Sequence, residues 1–335
     1  MPTCTQAKCP IATTGVCLEG HTQGCPHIIS DPATQLEPVA EAASASSMLP
    51  TPPEPYRFHS GEKLTALEAS WMIRALPVKM VLCAGAQWAG KTTFLARIGE
   101  MFRNGSFNDF RFAGSKTLCG FERASWLATI ASGAGQPDTK RTSKVEKDTF
   151  FHLQVRRVGN EDDHIDVLIS DLPGEIFPDV VSTKDVCEEQ LALARADQLV
   201  LFLDCKSLID DAKRHSERDM ACRFLSQVKR CRHAPITLQV NVVFSRWDYV
   251  CASQSRHEHE AYCEIVEQDI RTRFEATFGG LRFDRIAARP AGTAPTNAEI
   301  QTLFGLWLES PHSLPIATVS RKPKPARDFS AFGLR

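Results

Sequence analysis

Gly85, Ala86, Gln87, Trp88, Ala89, Gly90, Lys91 and Thr92 form the run GAQWAGKT, bounded by glycines and closed by a lysine and a hydroxyl. The spacing G-x-x-x-x-G-K-[ST] is chemistry for phosphates. Glycines let the backbone curl until its N–H groups face an anion. Lys91 supplies a cation for the outer phosphates of a bound nucleotide, and the Thr92 hydroxyl is a hard oxygen ligand for Mg2+. Thr93 follows within reach of the same phosphates. Such a loop needs a strand behind it and a helix ahead of it, because the helix N-terminus adds positive potential. Both are legible here: VKMVLCAG is apolar enough for a buried strand, and TFLARIGEMF has helical spacing.

Four further pieces stand in the chain order that a GTPase requires. Asp171-Leu-Pro-Gly174 follows the apolar run IDVLIS. An acid at a strand end can hold Mg2+ through water, and Gly174 can turn its N–H towards a γ-phosphate, so the loop senses that group. Alone, D-x-P-G is an ordinary turn; downstream of a phosphate loop it gains meaning. Ser245-Arg246-Trp247-Asp248 follows TLQVNVVFS. The Asp248 carboxylate can accept hydrogen bonds from guanine N1–H and N2–H2, a pair that adenine lacks. The stem of Arg246 can lie along the base plane. Ala287-Ala288-Arg289 follows FDRIAA and resembles the S-A-K element of GTPases, whose backbone N–H meets guanine O6; position is its only support. Last, TKRTS (139–143) precedes the strand before Asp171. The place resembles the first switch of GTPases, whose threonine completes the Mg2+ shell while the γ-phosphate is bound, which implies Thr142, or else Thr139, for that role. Arg141 is either a cation held near the transition state or a plain surface charge.

Together these residues resemble a P-loop GTPase core, translation-factor-related or Ras-like, over about residues 78–290. The resemblance implies GTP and Mg2+ as ligands and hydrolysis as the activity. Lys91, Thr142, Arg141 and Glu175 are then the catalytic group. Gly85–Thr93, Gly174, Ser245, Arg246, Asp248, Ala287 and Ala288 line the nucleotide, and Thr92, Thr142 and Asp171 hold the magnesium. Three departures stand out. Ser245 replaces Asn or Thr, Arg246 replaces Lys, and Glu175 occupies the place of a water-positioning glutamine. A carboxylate there adds negative charge beside the γ-phosphate, which implies slow hydrolysis without a partner. It also keeps open a nucleotide-binding pseudo-GTPase scaffold; a P-loop ATPase or kinase is a further alternative, which Asp248 argues against. The stretch 110–143 lies between the first helix and the switch threonine, where small GTPases have a short loop; it marks a helical insert, about 105–138, with a helix from roughly Phe121 to Ala131. This insert and the N-terminal CP…TGVCLEGH…CPH unit resemble the bacterial double-GTPase (type 2) family of predicted conflict and defence systems. That resemblance implies a signalling role with a second GTPase or an effector as protein partner.

The elements that must position these residues alternate from residue 78 onward. Strands are expected at 150–158, 165–170, 198–204, 237–245 and 283–288. Helices are expected at 183–196, 217–230 and 257–278, the last ending at Gly279 and Gly280. The expected fold is α/β: a mainly parallel sheet with helices on both faces and the phosphate loop at its carboxyl edge. A helix over 60–76 should bury Leu64, Leu67, Trp71 and Leu76 on one face and stop at Pro77.

Around this GTPase domain, 60–310, lie a Pro/Ala/Ser-rich linker at 31–59 and a basic tail at 311–335 read as disordered. The 335 residues carry a formal net charge of −1, which argues for no specific nucleic-acid partner. No apolar run approaches the roughly 18 residues of a membrane span. The N-terminus has no apolar signal core, so a cytoplasmic protein is expected. Of the twelve cysteines, eight fall in expected core elements and suit reduced, buried thiols. Cys4, Cys9, Cys17 and Cys25 crowd residues 1–30 and could hold one Zn2+, with His21 or His27 replacing one of them. An iron–sulfur cluster or a plain disordered tail is the alternative for this unit.

Overall fold

The computed structural model describes residues 3–4, 28–29, 59–103, 105, 109–126, 148–160, 163–290 and 298–309. The chain divides into two units, residues 1–57 and 58–335. In the first, β1 (Thr3–Cys4) pairs antiparallel with β2 (Ile28–Ile29), placing Cys4 opposite Ile28. The rest of that unit, the linker and the basic tail lie outside the described residues.

The second unit starts with α1 (Ala66–Ala75), capped by a reciprocal pair in which Thr65 accepts from the Glu68 amide and Glu68 accepts from the Thr65 amide. It continues through β3 (Val78–Gly85), α2 (Lys91–Arg103), β4 (Phe110–Gly114), α3 (Leu118–Ser125), β5 (Phe150–Arg157) and β6 (His164–Asp171). Two short helices, α4 (Phe177–Ser182) and α5 (Lys184–Glu188), lead to β7 (Gln198–Asp204) and α6 (Cys205–Leu208). Then come α7 (Arg214–Arg230), β8 (Gln239–Ser245), α8 (Trp247–Cys251), α9 (Arg256–Phe274), β9 (Gly280–Ile286) and α10 (Ala298–Glu309).

The strands form one seven-stranded sheet in the order β4-β5-β6-β3-β7-β8-β9. The pairings of β5 with β4 and β6 are antiparallel; from β6 to β9 every pairing is parallel. A parallel strand is covered on both faces, so β3 is buried along its whole length. Alternate side chains feed two apolar layers. Val78, Met80 and Leu82 join α1, α4, α7 and α9, whereas Val81 and Cys83 join α2, α3 and α10.

The second layer fixes the helix that follows the phosphate loop. Phe94 of α2 meets Phe202 of β7 edge-on at 5.4 Å between ring centres and Trp307 of α10 at 5.8 Å. Phe304 of α10 lies 5.6 Å from Phe102 of α2. Each such ring buries about 150–250 Å2, so α2 is pinned between the sheet and α10. β4 covers only the far end of β5. Beyond it, Leu64 bridges Phe150 through two backbone bonds of 2.9 Å, and the Thr117 hydroxyl accepts the His152 N–H at 2.8 Å. The strand edge is closed by side chain and loop rather than left open.

Several expectations need correction. In α1 the buried residues are Ala69 and Met72, while Leu67 and Trp71 are 69% and 67% exposed. Leu64 is buried and Leu76 half-buried against the core, as expected, but on α1 itself Ala69 and Met72 supply the core contact. The insert holds a strand, β4, and its helix begins at Leu118, not Phe121; residues 127–147 lie outside the described residues. The stretch 183–196 is α5 and a separate 3-10 turn at Leu193–Arg195, not one helix. α10 is a helix beyond those expected from the sequence. Of the eight described cysteines, six are buried, but Cys119 and Cys251 are exposed.

Candidate functional site

Register places the strand ends side by side. Cys83 of β3 stands opposite Asp171 of β6, and Gly85 opposite Phe202 of β7. Asp204, Ser245 and Ile286 share one line across β7, β8 and β9. The segments that leave these strands therefore emerge along one carboxyl edge.

The phosphate-loop sequence spans the gap from β3 to α2. Gly85 has φ +148°, and a side chain there would meet the Phe202 carbonyl oxygen at 2.6 Å, so glycine is required. Gly90 has φ +81° and opens the helix by accepting the Phe94 N–H at 2.9 Å. Between them Trp88 holds φ 71°, a left-handed conformation uncommon for a bulky residue, with its indole 55% exposed. Ala89 is buried, and Gln87 is exposed.

Lys91 is buried. Its Nζ donates to the carbonyls of Gly85 at 2.9 Å and Ala86 at 3.0 Å. Burial pushes its pKa down, and the nearby Asp171 carboxylate opposes that shift. The Thr92 hydroxyl donates to Asp171 Oδ2 at 2.8 Å, and Thr93 lies half-buried beside it. A hydroxyl and a carboxylate at this separation are hard oxygen donors of the kind Mg2+ takes. Gly174 sits against the loop itself: a side chain there would meet Gln87 Cα at 2.6 Å and Gln87 N at 2.7 Å. Glu175 follows, exposed.

At the other end of the edge, the Ser245 hydroxyl donates to the Leu203 carbonyl at 2.9 Å. Arg246 is left-handed, φ 53° and ψ 41°. Its guanidinium is engaged by Asp204, with Nε donating to Oδ1 at 2.7 Å and a second nitrogen donating to Oδ2. The head of Arg246 is thus committed to an acid of the neighbouring strand, a partner the sequence reading did not assign. Asp248 is half-buried in the first turn of α8. Ala287 and Ala288 follow β9, and Arg289 anchors them by pairing with Glu100 of α2, which also holds Arg97 at 3.0 Å.

Sequence reasoning missed Asp204 and Glu217. The Glu217 carboxylate of α7 is buried and accepts the Asp204 N–H at 2.9 Å. Burial pushes its pKa up to about 7; the bond to the Asp204 N–H lowers it, and the charge of Asp204 raises it further. The signal available for Asp204 was an acid ending a mainly apolar strand, the same pattern that singled out Asp171.

Thr142, Thr139 and Arg141 lie outside the described residues, as do Cys9, Cys17, Cys25 and the side chain of Cys4. Among the described residues no group of three His, Cys, Asp or Glu side chains could hold a metal ion. Among them also, no helix is long and apolar enough to cross a membrane.

A family model described as Double-GTPase 2 matches residues 79–308. No curated protein matches the chain. Among solved structures, the GTPase-like domain of S. cerevisiae Ski7, bound to GDP and inorganic phosphate, is similar with TM-score 0.43 and 15% identity over 72% of this chain and 52% of that one. The signal recognition particle receptor SRb-GTP/SRX complex from Chaetomium thermophilum gives 0.37 and 13% over 69% and 99%. The LeoA bacterial dynamin GTPase from ETEC gives 0.32 and 14% over 72% and 35%. The chain spans about half the length of the Ski7 structure.

The raised pKa of Glu217 has a definite sign. Its folded value, about 7, lies above the ordinary 4.5, so the folded state holds this proton more tightly than the unfolded chain does. The group therefore costs stability as pH rises from about 4.5 to about 7, and the full cost is present above that window. Glu217→Gln keeps an oxygen for the Asp204 N–H and removes the titration. Urea denaturation at pH 5 and pH 8 should show the variant gaining stability over wild type at pH 8. An equal difference at both values would contradict the assignment.

Proposed function

The chain belongs to the Double-GTPase 2 family, and from that premise we propose a guanine-nucleotide switch that hydrolyses GTP slowly and signals through protein partners. One observation carries the reading: the buried Lys91 ammonium, the Thr92–Asp171 pair and the Gly174 turn converge on a single loop at the sheet's carboxyl edge. In this reading the N–H groups of residues 86–92 and the Lys91 ammonium cradle the phosphates, shifting off the Gly85 and Ala86 carbonyls as needed. Thr92 and Asp171 hold Mg2+, and Thr142 completes the shell. Mg2+ would neutralise charge on the β- and γ-phosphates. Gly174 senses the γ-phosphate because its backbone already touches Gln87.

Asp248 selects guanine over adenine, with Ser245, Ala287 and Ala288 framing the base. This choice separates the reading from a P-loop ATPase or kinase. The exposed Glu175 supports a second reading, a pseudo-GTPase scaffold, since its charge opposes attack on the γ-phosphate. Tight binding of a non-hydrolysable GTP analogue with no turnover of GTP would favour that second reading. A second GTPase or an effector in a bacterial defence system is the partner proposed for either.

The cysteines of residues 1–30 are proposed to hold one Zn2+. The β1–β2 pairing brings the two ends of that unit together, which a metal between Cys4, Cys9, Cys17 and Cys25 would reinforce. Elemental analysis of protein prepared without chelator should find about one zinc per chain, and metal-free protein would contradict it. For the switch itself, Lys91→Ala should weaken GTP binding by at least about 100-fold, the weight of a charge-assisted contact to phosphate. Isothermal titration with GTP and Mg2+ checks this, with circular dichroism confirming the fold. Unchanged GTP affinity would remove the phosphate-loop assignment.

A further inference from the structure

Arg246 holds a left-handed backbone, φ 53° and ψ 41°, immediately before the turn that carries Asp248. Such a conformation costs a non-glycine residue on the order of 1 kcal/mol or more, and it persists only when its surroundings enforce it. What enforces it here is Asp204. The acid ends β7 directly opposite Ser245 in β8, so its carboxylate lies beside the first residue to leave the neighbouring strand. Both of its oxygens take a guanidinium nitrogen, the fork geometry that arginine supplies and lysine cannot.

Asp204 is itself fixed from several sides. Oδ1 accepts the Lys206 N–H at 3.0 Å, Oδ2 accepts the Ser207 hydroxyl at 2.9 Å, and its own N–H is held by Glu217 at 2.9 Å. Tyr249, one residue past Asp248, lies under two cations of the same corner, Lys206 at 5.5 Å and Arg246 at 5.8 Å. The loop presenting Asp248 is thereby gripped before and after it.

We infer that Asp204 is a positioning residue for base selection: it clamps Arg246 and through it aims the Asp248 carboxylate. The arginine that stands in place of lysine is then half of a matched pair, its other half lying 42 residues upstream at a strand end. This inference rests on the reading of Asp248 as the guanine-selecting acid.

The test compares affinities for GTP, inosine triphosphate and ATP in wild type, Asp204→Ala, Asp204→Asn, Arg246→Ala and the double variant Asp204→Ala/Arg246→Ala. Inosine triphosphate keeps the ring N1–H and lacks the exocyclic amine, so the GTP-to-inosine ratio reads how well Asp248 is aimed. The ratio should fall about tenfold in each single variant, the worth of one hydrogen bond to a charged group. Affinity for ATP should change less, because the phosphate contacts are untouched. The double variant should be no worse than the poorer single one, because both changes remove one clamp.

If Asp204→Ala does not fold, Arg246→Ala reports the same pair from its half-buried side. Retained GTP preference in the single variants, or equal weakening of all three nucleotides, would overturn the inference. A wild-type protein with no preference for GTP over ATP would overturn the reading of Asp248 beneath it, and the inference with it.

Discussion

A buried ammonium needs partners, and Lys91 finds them in the loop it closes. Its bonds to the Gly85 and Ala86 carbonyls require the chain to curl back on itself within a few residues. That curl sets the left-handed angles at Trp88 and Gly90 and the close approach of Gly85 to β7. β3 must therefore be an interior strand with neighbours on both sides, and α2 must begin at the lysine. Asp171 balances the charge from β6, and its turn brings Gly174 onto Gln87.

The corner at the ends of β7 and β8 is built on the same logic, with the charges reversed in order. Asp204 is the buried acid, and Arg246 comes to it from the next strand. Behind both stands Glu217, whose carboxyl burial holds well above the usual carboxylate range. The two corners are tied together twice. The parallel register from β3 to β9 sets the spacing of the strand ends. The Glu100–Arg289 pair ties the helix of the phosphate loop to the segment that follows β9.

Much of this was legible in the sequence because it is local. Gly85, Gly90, Lys91 and Thr92 announce their loop by spacing, and largely apolar runs announce β3, β6, β7 and β8. What was not legible depends on partners distant in the chain. Arg246 reads as a base-stacking residue until Asp204 is placed across from it. The motif names Lys91 as a cation but does not show that the loop carbonyls of Gly85 and Ala86 enclose it. Leu67 and Trp71 read as core because they are large, yet the sheet accepts the smaller Ala69 and the pliant Met72 instead. In α10, Ile300, Leu303, Phe304, Trp307 and Leu308 do have helical spacing, but a segment rich in proline, threonine and alanine separates them from the last expected strand.

In the proposed switch, one carboxylate in the first turn of α8, just past β8, decides which base the protein accepts. Asp248→Asn tests it most directly, by competition of GTP and xanthosine triphosphate for the same site. An amide presents a donor where guanine also presents donors, whereas xanthine presents an oxygen there. The account predicts weaker GTP binding in the variant and a preference turned towards xanthosine triphosphate. Unchanged preference for GTP in Asp248→Asn would contradict it.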